Sequence, residues 1–254
     1  MPPIKVKMLG SGGGRDVTDP AKSAEEAAPA AAGGRVRARG RNKPLTRIQR
    51  EKQDAILEAA LDVFSQNGFL GATIDQIAEA AGMSKPNLLY YFPRKEEIYK
   101  RLMTEMLDIW LEPLRQIDSD GDPVPEIRSY IRRKLEMSRD FPRQSRLFAG
   151  EMLQGGPRIL DVLEGDLKQL VDEKAQVLEN WMARGKIVRT DPYHLIFSIW
   201  ATTQHYADFD VQVRAVLGKG RGGEGRFEDA ARFLENLFMH GLLPKKDSSG
   251  PTGD

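Results

Sequence analysis

Residues 73–92 read TIDQIAEAAGMSKPNLLYYF and decide the fold. The first half of this stretch places Ile74, Ile77, Ala78 and Ala81 at positions i, i+3, i+4 and i+7, the spacing of one buried helix face. The second half contains another short run with apolar positions of its own. Two short helices joined by a Gly-containing turn of three or four residues predict a helix-turn-helix, whose second helix fits the major groove of DNA.

Both helices of this stretch carry signals for their ends. Thr73 precedes the first helix, where its hydroxyl can accept a hydrogen bond from a free N–H of the first turn. Gly82 ends that helix because it tolerates the left-handed conformation of a C-terminal cap. Ser84 is expected to cap the second helix, and Pro86 falls inside its first turn, where its missing N–H is not needed. The apolar side of the second helix consists of Leu88, Leu89 and Phe92.

The polar side chains around the second helix are the predicted contacts with DNA. Lysine donates to guanine and asparagine pairs with adenine in the major groove, whereas serine and tyrosine more often contact phosphate. Which of these side chains read bases and which hold the DNA backbone stays open. The predicted DNA-contacting residues of this stretch are Thr73, Ser84, Lys85, Pro86, Asn87, Tyr90 and Tyr91.

Charge is divided unevenly along the 254 residues. The formal net charge is +1, but residues 1–52 contain 12 Lys and Arg against 5 Asp and Glu, which leaves 26 against 32 for the remainder. A basic front and an acidic body indicate that only the front meets a polyanion. Residues 1–44, rich in Gly, Ala, Pro and Arg, are predicted to be a flexible, disordered basic tail. Its end, with Arg41 and Lys43, is either a solubilising tail or an arm along DNA phosphates, and its place before the helix-turn-helix favours the arm.

Several classes of function find no support in the sequence. The chain has no cysteine, which excludes disulfides and thiolate metal sites. It lacks an apolar signal region and any apolar run of about 20 residues, so we expect a cytoplasmic, nucleoid-associated protein without a membrane partner. Of its histidines, His194, His205 and His240, only His205 has a second possible ligand at helical spacing, Asp208, and two ligands make too weak a site for a metal to be predicted. No G-x-S-x-G nucleophile motif occurs, and no catalytic residue is predicted.

Helical periodicity continues on both sides of the quoted stretch, and nothing favours a sheet. The predicted fold is therefore all-α, with nine helices: a three-helix reader over residues 45–93, a helical domain over 94–243 and a disordered tail over 244–254. The run VQVRAV at 211–216, followed by GKGRGGEG at 218–225, imitates a dinucleotide-binding fingerprint but lacks a second strand. A flexible loop between the last two helices is predicted there instead.

Residues 56–103, ILEAALDVFSQNGFLGATIDQIAEAAGMSKPNLLYYFPRKEEIYKRLM, resemble the DNA-binding domain of the TetR family of bacterial regulators. The matching features are AAxxxFxxxGFxxxTxxxIAxxAGxS and, after it, YYFxxKEExY. The resemblance implies a homodimer on a palindromic operator, a downstream ligand-binding domain, and a DNA-phosphate contact by Lys95. We expect the eighth and last helices to form a four-helix bundle with a second copy. The residues expected to be partly buried there are Ile196, Ile199, Leu234, Leu237 and Phe238.

A candidate ligand site lies in the polar run TTQHYAD at 202–208, within an otherwise apolar helix. Trp200 and Gln204 are four residues apart and share a helix face. A glutamine amide beside an aromatic ring suits a planar heterocycle with C=O and N–H groups, and Trp110 could supply a second ring. The alternative is that both tryptophans are ordinary core residues.

The segments SRDFPRQSRLFAGEML at 138–153 and HLIFSIWATTQHYADF at 194–209 resemble the pyrimidine-utilisation regulators of the same family. This resemblance implies a repressor of pyrimidine catabolism that uracil or thymine releases from DNA, without a cofactor. It places Trp110, Trp200, Thr203 and Gln204 in the pocket. Two alternatives remain: a TetR-family repressor that senses a drug or another metabolite, and a small-molecule carrier or enzyme that does not bind DNA.

Overall fold

A computed structural model describes residues 46–244, and within that range the chain is helical with no strand. The all-helical prediction is confirmed there, with ten helices where nine are predicted. They are α1 (Arg47–Gly71), α2 (Ile74–Ala80), α3 (Lys85–Tyr91), α4 (Lys95–Arg115), α5 (Pro123–Asp140), α6 (Pro142–Leu153), α7 (Leu160–Val162, a π-helical turn Leu163–Leu167 and Lys168–Ala183), α8 (Pro192–Asp208), α9 (Asp210–Arg221) and α10 (Arg226–Leu242). The predicted tails, with Arg41 and Lys43, lie outside the described residues.

Helices α1 to α3 share one hydrophobic core with the first half of α4. Phe64, Ile77 and Leu88, one from each of the first three helices, are buried, and Ile98 and Met103 of α4 close the same core. Because α4 enters the reader core directly, no flexible linker separates the reader from the rest of the described chain.

The ends of the reader helices follow their predicted capping signals at Thr73 and Gly82. Thr73 and Gln76 form a reciprocal capping box, in which each side chain accepts a hydrogen bond from the other's backbone N–H. Gly82 has φ of +64°, the left-handed conformation that a side chain would strain. Ser84 occupies the capping position of α3, but its hydroxyl makes no capping hydrogen bond, contrary to the prediction. The hydroxyl therefore stays exposed on the reader surface.

A second core joins the rest of α4 with α5, α7, α8 and α10. Leu114, Ile131 and Trp181 are fully buried in it. Helix α6 lies between the two cores, because Leu147 packs into the reader core while Phe148 touches both. None of the helices described is long and apolar enough to cross a membrane.

The predicted loop at 218–225 is partly wrong, because α9 extends to Arg221. Helix α9 buries none of its side chains, so it leaves no apolar period in the sequence by which to recognise it. Gly218, with φ of +69°, bends the helix, and the Arg226 guanidinium donates to Asp210 at 2.6 Å to close the corner before α10. Helix α4 contains Pro113 and continues past it to Arg115.

Candidate DNA-reading surface and effector site

The outward side of α3 carries most of the predicted DNA contacts. Ser84, Lys85 and Asn87 are exposed, and Tyr90 is 71% exposed. Tyr91 is half-buried against the reader core, with its ring 5.2 Å from that of Tyr90 in an edge-on arrangement. Tyr90 therefore offers the freer hydroxyl and ring to DNA, while Tyr91 also supports the fold.

Lys85 is tied to the preceding helix by an ion pair across the reader. Its ammonium donates to Asp75 Oδ2 at 2.9 Å, and both side chains are largely exposed. An exposed pair of this kind contributes little to stability. Its main effect is on Lys85 itself, because Asp75 holds the ammonium on the surface between α2 and α3.

Lys95 points inward. Its ammonium donates to the backbone oxygens of Phe69 at 2.8 Å and Ala72 at 2.7 Å, and it lies 4.5 Å from the centroid of the Phe69 ring. These contacts hold the N-terminus of α4 on the connection between α1 and α2. The expected contact between Lys95 and a DNA phosphate stays a prediction.

In the second core, polar groups from three helices converge around Trp110 on α4. The ammonium of Lys134 on α5 lies 4.8 Å from the centroid of the Trp110 indole on α4. The hydroxyl of Ser145 on α6 donates to Asp208 on α8, and the charges of Lys134 and Asp208 attract each other. Phe148 of α6 packs against Trp110 with ring centroids 6.3 Å apart. Buried polar groups that converge on an aromatic face are typical of a small-molecule site.

Burial changes the protonation of the two charged groups in this cluster. It lowers the pKa of Lys134 to about 8, although the nearby Asp208 carboxylate partly opposes that shift. Burial also raises the pKa of Asp208, while the Ser145 hydrogen bond and the nearby positive charges lower it. Within the described part of the chain, the Lys134 ammonium forms no hydrogen bond. The buried ammonium instead faces the Trp110 ring, which makes Lys134 a candidate for contact with a ligand.

Trp200 and Gln204 lie next to this cluster. Trp200, Gln204 and Asp208 are spaced by four residues along one face of α8, as Tyr130 and Lys134 are along α5. The Trp200 indole N–H donates to the Tyr130 hydroxyl. The Gln204 amide is half-buried and makes no hydrogen bond within residues 46–244, so it can serve a ligand.

Thr203 belongs to the core rather than to an open pocket. It is fully buried, and its hydroxyl donates to the Ile199 backbone oxygen at 2.7 Å within α8. Its own backbone oxygen accepts a hydrogen bond from the Ser138 hydroxyl at 3.0 Å, which joins α8 to α5. In this structure the Thr203 hydroxyl is therefore already used within α8 and is not free for the predicted contact with a ligand.

The space beside Trp110 is too small for a ligand. It measures about 10 Å³ and is lined by Met106, Leu107, Trp110 and Phe148, whereas small-molecule pockets are typically about 300–1,000 Å³. Trp200 instead borders an open groove of about 470 Å³ between α7 and α8. The two tryptophans thus line separate spaces in this structure.

Three of the five predicted dimer residues are corrected by the structure. Ile196, Ile199 and Leu234 are 2%, 2% and 3% exposed because they fill the core of their own chain. Leu237 is 52% exposed and Phe238 is half-buried. Helix α8 is apolar on several sides, so its sequence does not reveal which side packs inward. The outward apolar side chains of α8 and α10 are Tyr193, Phe197, Phe233 and Leu237.

Lys134, Ser145 and Asp208 are the site residues that the sequence reasoning missed or left unassigned. Lys134 follows Tyr130 and Ile131 at helical spacing, so it stands at a core position of α5. A charged residue at a position whose neighbours are buried is a usable signal for a site. Among the residues described, no group of three potential ligands could hold a metal ion.

The chain is similar to known proteins over most of its length. The sequence profile of bacterial regulatory proteins of the tetR family matches residues 56–102. The profile of the C-terminal region of YcdC-like proteins matches residues 103–245. The HTH-type transcriptional regulator RutR of Escherichia coli K12 is 51% identical over 194 residues, which cover 76% of this chain and 92% of RutR.

Solved structures show the same fold at lower identity. AibR, in a complex with isovaleryl coenzyme A and operator DNA, has a TM-score of 0.59 and 20% identity, covering 73% of this chain and 97% of AibR. GusR of Salmonella enterica has a TM-score of 0.56 and 20% identity, covering 75% of this chain and 94% of GusR. RutR and the tetR-family profile, which carry the sequence similarity, describe transcriptional regulators, not enzymes.

Proposed function

This chain belongs to the tetR family of bacterial regulatory proteins, and we propose that it represses genes of pyrimidine catabolism until uracil or thymine releases it from DNA. As a DNA-binding transcriptional regulator close to RutR, it would act in the cytoplasm, at the nucleoid, as a homodimer on a palindromic operator. The observation that carries the effector assignment is the convergence of Lys134 and Asp208 beside Trp110, inside a domain similar to RutR over most of its length.

The charges of the buried cluster suit a pyrimidine. A uracil ring presents an N–H between two carbonyl oxygens on one edge, so it requires both donors and an acceptor. The Lys134 ammonium and the Gln204 amide supply donors, and the Asp208 carboxylate supplies an acceptor for N–H. The Trp110 face supplies the stacking surface for a planar ring. A hydrogen bond to a charged partner contributes about 1.5–3 kcal/mol, which gives this set enough free energy to discriminate a pyrimidine from an apolar ring.

Two reader units must act together on a palindrome. Family dimers meet successive major grooves about 34–36 Å apart, and the outward apolar side chains of α8 and α10 are the surface we assign to the second copy. Phe197 and Phe233 replace the buried residues of the sequence-based prediction in this role, and the predicted Leu237 stays exposed there. Each reader would place Lys85, Asn87 and Tyr90 in the groove.

Release would follow from opening the site beside Trp110. With about 10 Å³ beside Trp110, a pyrimidine fits only when Trp110 and Phe148 separate. Trp110 is on α4, which enters the reader core, and Phe148 is on α6, which packs on α1. The effector therefore binds a form whose readers are displaced, and a preference of about 1–3 kcal/mol for that form weakens DNA binding about 5–150-fold.

A gel shift at fixed salt tests this proposal. The DNA is the region upstream of the protein's own gene, and uracil, thymine and a purine base are the added ligands. We expect specific binding that uracil and thymine reverse and the purine leaves intact. Binding that ignores all three bases would refute the pyrimidine assignment while leaving the DNA-binding function in place.

The groove between α7 and α8 favours one second candidate, a repressor that senses a larger apolar cation. Tyr193, Phe197 and Trp200 line this groove together with the Asp172 carboxylate, and aromatic rings with an acid attract organic cations. Asp172 is already paired with Lys168 and accepts a hydrogen bond from the Tyr193 hydroxyl at 3.1 Å. Its carboxylate therefore attracts a bound cation less strongly, which makes this second candidate weaker than the first. Release of the operator by hydrophobic cations, and not by uracil, would support it.

A further inference from the structure

Glu151, near the C-terminal end of α6, connects the turn between α6 and α7 to the core of the DNA reader. This carboxylate is completely buried and accepts hydrogen bonds from the Tyr99 hydroxyl at 3.1 Å, the Arg158 backbone N–H at 3.0 Å and the Arg158 guanidinium at 2.9 Å. Three donors satisfy a charge that burial alone would strongly destabilise. The chain reverses direction between these partners at Gly155 and Gly156, whose φ values are +89° and +63°. Arg158 is therefore held in one orientation.

That orientation places Arg158 on the last turn of α1. Its guanidinium lies 3.9 Å from the centroid of the Phe69 ring and 5.7 Å from that of Tyr99. The Phe69 ring also lies 4.5 Å from the Lys95 ammonium, which binds the backbone oxygens of Phe69 and Ala72. We call Glu151, Arg158, Phe69 and Lys95 the clasp. Because Thr73, the cap of α2, directly follows Ala72, the clasp fixes where the helix-turn-helix begins.

The same helix that carries Glu151 borders the effector site. Ser145 of α6 donates to Asp208, and Phe148 packs against Trp110. Near its N-terminus, Arg143 of α6 pairs with Asp62 of α1. Any movement of α6 that opens the space beside Trp110 must therefore pull on α1 at two points, of which the clasp is the one adjoining the helix-turn-helix.

We propose that Arg158 is the positioning residue that transmits effector occupancy to the DNA reader, through its stacking on Phe69. The inference deepens the proposed function and rests on it, because it requires an effector in the site around Trp110. Arg158 touches neither that site nor the DNA-reading face of α3. Its loss should therefore uncouple two intact binding sites rather than destroy either one.

The variant that tests this role is Arg158→Lys. Lysine keeps the charge beside buried Glu151 but loses the planar group that stacks on Phe69. The matched control is Arg101→Lys on α4, an exposed arginine paired with Glu105 at 2.6 Å. Operator affinity is measured by fluorescence anisotropy with and without uracil, and uracil binding is measured separately by tryptophan fluorescence.

We expect Arg158→Lys to bind the operator within about threefold of the wild type and to bind uracil at the same midpoint. Its loss of operator affinity on adding uracil should be at least about threefold smaller than that of the wild type. Phe69→Leu, which leaves Glu151 paired, should show the same defect, whereas Arg101→Lys should behave as the wild type. Equal release of Arg158→Lys and wild type by uracil would overturn the inference.

A second measurement separates failure of this inference from failure of the proposed function. If neither uracil nor thymine releases the wild type, the pyrimidine assignment fails. Amide hydrogen exchange of the ligand-free protein then tests whether the clasp holds the start of the helix-turn-helix in place. Faster exchange of residues 69–73 in Arg158→Lys, by about fivefold or more, with residues 56–64 unchanged, would support the clasp. Exchange equal to that of Arg101→Lys would overturn it.

Discussion

The Lys134 ammonium lies 4.8 Å from the centroid of the Trp110 ring, in the interior of the ligand-binding half. An aromatic face and a nearby Asp208 carboxylate stabilise this charge only in part, since burial still lowers the pKa of Lys134 to about 8. A core of this kind would be more stable with an apolar residue at position 134. The pair is therefore the most direct place to test the proposed effector site.

Replacing Lys134 with methionine should separate binding from folding. The Lys134→Met protein should bind uracil at least about tenfold more weakly, because a charged hydrogen bond is lost, while its operator affinity without effector stays unchanged. Its thermal midpoint should equal or exceed that of the wild type, since the buried charge is gone. Tryptophan fluorescence titration and thermal unfolding measure both effects. Lys168→Met, at an exposed lysine of α7, is the control, and wild-type uracil affinity in Lys134→Met would exclude Lys134 from the site.

The pKa of Lys134 also predicts a pH dependence with a definite sign. Between the folded value of about 8 and the unfolded value of 10.5, the unfolded chain binds more protons at this group, so its contribution to stability rises with pH. Below both values Lys134 is protonated in the folded and the unfolded state alike, so it adds no pH dependence to the free energy of unfolding. Urea unfolding of the wild type and Lys134→Met across this window should show the wild type gaining stability relative to the variant. Parallel curves would show that Lys134 keeps an ordinary pKa.

Local signals in the sequence predict the reader well, because they depend on neighbours along the chain. Helix geometry alone is enough to predict the caps at Thr73 and Gly82 and the buried face formed by Ile77 and Ala78. The effector site is less predictable, because Lys134 becomes informative only when α4 and α8 are packed around it. For the same reason, the sequence does not show that Ile196 faces inward.

Asp75 should restrain the reader through its ion pair with Lys85. The Asp75→Asn variant frees Lys85 and should bind the operator about three- to tenfold more tightly, with stability changed by no more than about 0.5 kcal/mol. Glu79→Gln, on the same helix, removes the same charge from an exposed position without touching Lys85 and serves as the control. Anisotropy titrations at one salt concentration compare the two, and equal gains in both variants would attribute the effect to net charge alone.

The assigned dimer surface can be tested at Phe233, which is 61% exposed and lies one helical turn from Leu237. A carboxylate there would have to be buried without a partner, so Phe233→Asp should shift the protein to monomers and weaken operator binding. Sedimentation velocity measures the shift. Val216→Asp, at an exposed position of α9, should stay dimeric. A dimeric Phe233→Asp protein would place the interface elsewhere.

The most direct test of the account is the affinity of the protein for the DNA upstream of its own gene, measured by anisotropy at fixed salt while uracil is added. The account predicts that saturating uracil lowers the affinity of the wild type at least about fivefold, whereas Lys134→Met requires at least about tenfold more uracil for the same loss. An affinity of the wild type that neither uracil nor thymine changes would contradict the account.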